Sequence, residues 1–232
     1  MVSSRPPQNP MEGVPAHILA LLDRLHAESL AQEKDMDRSV FVGASSDAAN
    51  KTAVRDKFIA LDRDKCQYVY ALCRATDART IVEAGTSFGV STIYLALAAA
   101  ANAVVGGKKA RVVATEHEPT KAARAREYWA QCGDMVTGAI DLREGDLRET
   151  LKEDLDEVDL LLLDIWTEMA LPTLKIVQQK MRRGAIVIAD NTAVSEGYDE
   201  MLTYMRNPES GFITMTLPFS QGLEFCVYLP NN

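Results

Sequence analysis

The chain lacks an excess of positive charge. Its Lys+Arg 25 against Asp+Glu 33 leave a formal net charge of −8. That excludes the basic footprint expected of a nucleic-acid-binding or anionic-membrane-binding surface. It also lacks a long apolar run: the longest stretch, Ile93 to Val105, is interrupted by Asn102 and falls short of the roughly 20 residues of a membrane helix. The opening MVSSRPPQNPMEGVP has neither the apolar core of a secretory signal nor the repeated arginines of a transit peptide. The four cysteines, at 66, 73, 132 and 226, form no CxxC pair, and no His is spaced with them as a zinc ligand. Reduced thiols and a cytoplasmic location are therefore expected. Missing too is the GxGxxG of a dinucleotide site.

What remains is 232 residues with 47% hydrophobic and 25% charged, an ordinary globular composition sized for one large domain. Prolines and polar residues mark 1–13 as a flexible arm. Val14, Ile18, Leu22, Leu25 and Leu30 recur at near-helical spacing and predict an amphipathic helix over 14–34. Its stripe packs on the core or on a second subunit, and His17 and His26 on it read as surface or interface residues. Ser39–Asn50 is small and polar and reads as a loop. Asp62–Ala75 reads as a helix with Cys66, Val69, Tyr70 and Cys73 facing inward. From residue 80 short apolar runs alternate with helical patterns: TIVEA (80–84), RVVAT (111–115), IDLRE (140–144), DLLLL (159–163) and AIVIA (185–189). Helices are expected over Ser91–Ala101 and Thr120–Gln131, with a loop at Asn102–Lys109. Trp129 reads as core, and Lys121–Arg126 as a solvated helix face. Continuous apolar strands separated by helices indicate an α/β protein, a parallel sheet covered on both faces. FITMTL (212–217) and EFCVYL (224–229), joined by PFSQG, read as a C-terminal antiparallel hairpin.

In such sheets ligands bind beyond the carboxyl ends of the strands. After the first strand, Gly85 and Gly89 allow a sharp turn and a close approach of backbone to ligand. After the second comes Glu116, a carboxylate able to accept both hydrogen bonds of a ribose diol. After the third, Gly145-Asp146 is placed to meet an adenine edge. An acidic pocket without a phosphate cradle suits a cationic nucleoside, and S-adenosylmethionine is one. The fourth and fifth strands end in Asp164 and in Asp190-Asn191. On neighbouring strands these three oxygen donors select a hard divalent cation such as Mg²⁺; otherwise they are ordinary turn and cap residues.

Taken together, EAGTSFGVST, TEHEP, REGD, LLLDIW and ADN, in this order and spacing, resemble the cation-dependent class I S-adenosylmethionine O-methyltransferases, the group of the catechol and caffeoyl-CoA enzymes. The resemblance runs from about Leu61 to the C-terminus. It implies a Rossmann-like, mostly parallel seven-stranded sheet with an antiparallel C-terminal hairpin, occupying 61–232 behind an N-terminal helical extension, 14–60. It implies that Glu83, Gly85, Thr86, Ser87 and Ser91 hold the methionine part of the cofactor, that Glu116 binds the ribose, and that His117 and Asp146 flank the adenine. Asp164, Asp190 and Asn191 fall on the family's metal ligands, with Asp164 also beside the cofactor. Trp166 is a candidate wall of the acceptor pocket. The catechol and caffeoyl-CoA enzymes carry a lysine base three residues after the first metal aspartate; here that position is Thr167, and Glu168 and His117 are the nearest titratable residues in sequence. The implied activity is methyl transfer to a hydroxyl of a small phenol- or catechol-like acceptor, by a homodimer as in relatives. A cofactor-binding protein with no transfer, or with metal-independent N- or carboxyl-directed transfer, is the alternative. A nucleotide-dependent oxidoreductase is disfavoured by the missing glycine pattern.

Overall fold

The computed structural model describes residues 10–34, 57–107 and 109–230. Along the chain lie α1 (Ala16–Lys34), α2 (Arg63–Ala75), β1 (Thr80–Ala84), α3 (Val90–Gly106), β2 (Arg111–Glu116), α4 (Pro119–Cys132), α5 (Asp134–Thr137), β3 (Ile140–Glu144), α6 (Leu147–Thr150), β4 (Val158–Leu163), α7 (Thr167–Gln178), β5 (Met181–Asp190), α8 (Asp199–Arg206), β6 (Phe212–Leu217) and β7 (Leu223–Tyr228). The seven strands form one sheet in the order β3-β2-β1-β4-β5-β7-β6. Strands β1 to β5 pair in parallel, and β7 pairs antiparallel with both β5 and β6, as the pattern and the C-terminal hairpin predict. The strand order reverses between β1 and β4, which opens a crevice at their carboxyl ends.

Alternation along the strands sorts side chains between two cores. Ile81, Val112, Ala114, Leu160, Leu162, Ile186 and Ile188 join the helical layer of α1–α4. Val82, Val113, Leu161, Leu163, Val187 and Ala189 join the layer of α7 and α8. After Asp159 the run LLLL (160–163) is apolar throughout because β4 is central and buried on both faces.

Three expectations need correcting. Asn102–Lys109 is not a loop from its start: α3 continues to Gly106. Asn102 is tolerated inside it because its amide donates to the Cys73 and Ala78 carbonyls, both at 2.9 Å. Gly107, at φ 66, then ends the helix. His26 is not a surface residue: it is 4% exposed and its Nε2 lies 3.0 Å from the Tyr94 hydroxyl. Burial, with Arg63 nearby, lowers its pKa to about 4. The stripe of α1 is not available to a second subunit, since Ile18, Leu22 and Leu25 are buried in the chain's own core, although Leu30 is exposed. All four cysteines are free and buried, and Cys66, Val69, Tyr70 and Cys73 do face inward from α2. Ser39–Asn50 and residues 1–9 of the arm lie outside the described residues; residues 10–13 turn, with Met11 buried. No helix among the described residues is long and apolar enough to cross a membrane.

Candidate functional site

The same alternation places the site. If Ile81, Leu160 and Ile188 face the α1–α4 layer, then two residues further on, or four for β4, Glu83, Asp164 and Asp190 face it as well. Glu116, two past Ala114, does so on β2. Four carboxylates thus gather on one face of four adjacent strands, at their carboxyl ends. Each meets a different partner.

Glu83 is fully buried. It accepts hydrogen bonds from Thr86 Oγ1 at 2.9 Å, Ser91 Oγ at 2.6 Å and Thr92 Oγ1 at 2.5 Å. Burial pushes its carboxyl upward while those three hydroxyls hold it back. Glu83 therefore braces the turn between β1 and α3 and orients Ser91, whereas its own oxygens are turned inward. Gly85, at φ 93, lies against the Asp164 backbone: a Cβ there would stand 2.0 Å from the Asp164 carbonyl oxygen. Ser87 is held left-handed at φ 50, an uncommon state for a residue with a side chain. Its N–H donates to Glu116 Oε2 at 2.7 Å. Glu116 Oε1 accepts from the His117 and Glu118 N–H groups at 2.9 and 2.8 Å. Gly85, Thr86, Ser87, Ser91 and Asp164 line one small cleft, closed on its far side by Ile59, Ala60 and Leu61. The sequence reading placed 59–60 in the extension, outside the cofactor domain. Behind the turn Trp129, core as expected at 3% exposed, donates Nε1–H to the Gly89 carbonyl at 2.9 Å.

Asp146 lies at the tip of β3 and caps α6, accepting from Arg148 N at 2.9 Å. Its carboxylate is gripped by the Arg148 guanidinium, Nη2 at 2.6 Å, and those bonds hold its pKa down to about 2. Its charge is thereby matched, although a carboxylate has further lone pairs for an adenine amine. His117 and Glu168 are exposed.

β4 and β5 are neighbours in register, Leu163 opposite Ala189, so Asp164 and Asp190-Asn191 do meet at one rim. Asn191 is left-handed at φ 61, a state asparagine tolerates. Its N–H donates to the Gly222 carbonyl at 3.0 Å, which ties the exit of β5 to the β6–β7 turn. Strain of this kind concentrates at functional sites. Burial and the Asp190 charge push the Asp164 carboxyl upward. Among the described residues, no side-chain donor reaches it. The sequence reading missed Lys65. It is 1% exposed, donates from Nζ to Asp190 Oδ1 at 2.6 Å, and lies 3.1 Å from Asp62 Oδ2. Burial pulls its ammonium down, but Asp190 and Asp62 outweigh burial and the net shift is upward. Burial also raises Asp190, against the pull of Lys65. A signal for Lys65 was present: it lies four residues before Val69 and so on the inward face of α2.

Two carboxylates, one without a side-chain donor and the other sharing Oδ1 with the Lys65 ammonium, lie beside the Asn191 amide; oxygen donors of this type suit a hard divalent cation. Among the described residues no three His, Cys, Asp or Glu converge as a cation cage. Trp166, half-buried, starts α7. Thr167 next to it is packed under the turn at Gly197, whose added Cβ would meet Thr167 Oγ1 at 2.0 Å.

Residues 82–192 match the family model described as a methyltransferase domain. The catechol O-methyltransferase of Mycobacterium tuberculosis is 30% identical over 149 residues, 64% of this chain and 61% of that enzyme. That of Sus scrofa is 25% identical over 185 residues, 75% of this chain and 95% of that enzyme. Over this region the chain is similar to the catechol O-methyltransferases. The alignment therefore spans just under two thirds of the mycobacterial enzyme and nearly all of the porcine one. Among solved folds, the cofactor-bound Rv0187 from MTB superposes with a TM-score of 0.67 at 20% identity, covering 98% of this chain and 100% of that one. The Bacillus cereus O-methyltransferase in complex with SAH superposes at 0.61 and 17% identity, covering 88% and 99%. In open α/β sheets of this kind, ligands bind in the carboxyl-end crevice where the strand order reverses, here between β1 and β4.

Proposed function

We propose that this methyltransferase transfers the methyl group of S-adenosylmethionine to a hydroxyl of a small phenol- or catechol-like acceptor, with a divalent cation, Mg²⁺, held by Asp164, Asp190 and Asn191. One observation carries the reading. Asp164 lines the same cleft as Gly85, Thr86, Ser87 and Ser91 and stands beside Asp190-Asn191 across the β4–β5 register. The cofactor's methionine end and the acceptor's oxygen would thus share one carboxylate. The Bacillus cereus relative, solved with SAH, supports the cofactor, and the names of the curated relatives support the acceptor class.

Glu83 fixes Ser91 and the glycine turn, which receive the methionine moiety. Glu116, held by three backbone N–H groups, presents its remaining lone pair on Oε2 to the ribose, and His117 and Asp146 flank the adenine. The bound cation supplies Lewis-acid polarisation of the acceptor hydroxyl and lowers its pKa. Asp164 and Asp190-Asn191 set where that hydroxyl lies, and Trp166 walls it. Holding two reactants in line contributes on the order of 7–11 kcal/mol, which exceeds the roughly 10²–10⁴-fold of a general base. A site without a lysine at 167 is therefore workable. Four buried reduced cysteines support a cytoplasmic location. A homodimer would have to use a surface other than the α1 stripe.

A luminescent S-adenosylhomocysteine assay over catechols, phenols, carboxylic acids and amines, with and without Mg²⁺, tests the reading. Asp190→Ala is expected to abolish cation-dependent turnover; full activity in that variant or after chelation sinks the cation role. The Lys65 contact on Asp190 favours a second reading, cation-independent transfer to an amine or carboxylate, which the same panel would expose.

A further inference from the structure

Lys65 is a buried charged group at the strand tips to which the proposed reaction gives no task. It sits on the inward face of α2 at 1% exposure, where lysine is almost never found without a partner. The partner is not a spare carboxylate. Asp190, whose Oδ1 accepts from Nζ at 2.6 Å, is one of the three donors assigned to the divalent cation. The second contact, Asp62 Oδ2 at 3.1 Å, comes from the residue just before α2. Two carboxylates thus hold an ammonium that is itself buried.

We propose that Lys65 is a built-in counter-cation of the divalent site. It balances Asp190 when no divalent ion is bound, and it keeps divalent affinity low when one is. The inference rests on the reading of Asp164, Asp190 and Asn191 as a cation site. The physical argument is short. Asp164 and Asp190 bring two negative charges onto neighbouring strand tips, and an uncompensated buried pair of this kind opposes folding. One ammonium, shared with Asp62, offsets part of that charge permanently. It also occupies one oxygen of Asp190 and leaves the other for a second cation. A divalent ion at the remaining oxygens then meets a fixed positive charge within a few ångströms, in a poorly screened setting. It binds more weakly than the oxygen donors alone would dictate.

The test is an electron paramagnetic resonance titration of free Mn²⁺ with the full chain, without acceptor, as wild type, Lys65→Gln and Lys65→Arg. Glutamine retains a hydrogen bond to Asp190 and removes the charge; arginine retains the charge. Lys65→Gln should bind Mn²⁺ roughly tenfold more tightly or better, and Lys65→Arg should stay within about threefold of wild type. Equal or weaker Mn²⁺ binding by Lys65→Gln overturns the proposal and leaves Lys65 as a positioning residue for Asp190. If neither wild type nor Lys65→Gln takes up Mn²⁺, the cation site itself falls, and chelator-insensitive turnover in the methyl-transfer assay would show that failure separately. Should Lys65→Gln be unfolded in chelator, circular dichroism decides. Refolding in millimolar Mg²⁺ supports the proposal, and a chain that stays unfolded overturns it.

Discussion

Gly85→Ala probes the contact on which the shared cleft depends. Gly85 sits at φ 93, and an added Cβ would stand 2.0 Å from the Asp164 carbonyl oxygen and 2.6 Å from Ile165 Cγ2. The carbonyl cannot yield cheaply. The Asp164 N–H already donates to the Ala84 carbonyl at 3.0 Å, so moving one strand tip pulls on the other. Forcing a side chain into left-handed backbone costs about 1–2 kcal/mol, and overpacking against fixed atoms about 1–3 kcal/mol. Together they come to roughly 2–5 kcal/mol. At about 2–4 °C per kcal/mol for a chain of this size, the variant should melt on the order of 10 °C below wild type. Because Asp164 must retreat from the cleft, the S-adenosylmethionine Kd should rise about tenfold or more. Gly107→Ala is the matched control: φ is 66, but nothing lies within 4 Å of the added Cβ. It should lose only about 1 kcal/mol and bind the cofactor as wild type does. Scanning calorimetry and titration calorimetry read both quantities. A Gly85→Ala protein that melts with the Gly107→Ala control and binds the cofactor normally would refute the coupling of the glycine turn to the β4 tip.

Three further outcomes follow from the same geometry. Glu83→Gln replaces an acceptor-only group by an amide facing three hydroxyl donors; it should lose about 1–3 kcal/mol of stability and raise the cofactor Kd, whereas unchanged values would show the hydroxyls to be idle. His26 is neutral when buried, with its pKa lowered from 6.5 to about 4, so the unfolded chain binds the extra proton in that window. Wild-type stability should be intact above pH 6.5 and fall by up to about 3 kcal/mol as pH drops towards 4; His26→Gln should flatten that part of a urea-midpoint-against-pH curve. Thr167→Lys places a long side chain under the turn at Gly197; it should cost about 1–3 kcal/mol and leave the pH–rate profile of methyl transfer unchanged, and a new ionisation with faster turnover would contradict the packing.

The sheet was legible because its strands are apolar on both faces, a pattern that helices of this length do not share. The C-terminal hairpin was legible because PFSQG interrupts two strand-like runs. The boundaries of α3 were not. Asn102 and the following Ala-Val-Val look like a loop until Asn102 is seen satisfying two carbonyls of the preceding segment, a tertiary fact. His26 failed for a related reason: its partner, Tyr94, lies 68 residues away, and only the docking of α1 on α3 makes the inward position tolerable. In the site, residue types and order pointed to the right loops, but charge balance did not appear in the sequence. Lys65 and Arg148, the two cations that meet Asp190 and Asp146, are separated from those carboxylates by 125 and 2 residues. The near one could be guessed. The distant one needed the fold.

Charge balance also explains why one carboxylate of the face can act while the others brace. Glu83 is satisfied by three hydroxyls, Glu116 by three backbone N–H groups, and Asp190 by an ammonium. Asp164, between Glu83 on β1 and Asp190 on β5, has no side-chain donor among the described residues and lines the cleft. Negative charge left unmatched in a half-buried site is costly in the empty protein and is relieved by a proton, as the upward shift of Asp164 reflects, or by a positive ligand. A sulfonium cofactor and a divalent ion are both such ligands, and Asp164 is placed to feel both. The order of the face, braced acid, donorless acid, ammonium-paired acid, therefore favours cationic partners at the centre and leaves the flanking strands as fixed walls.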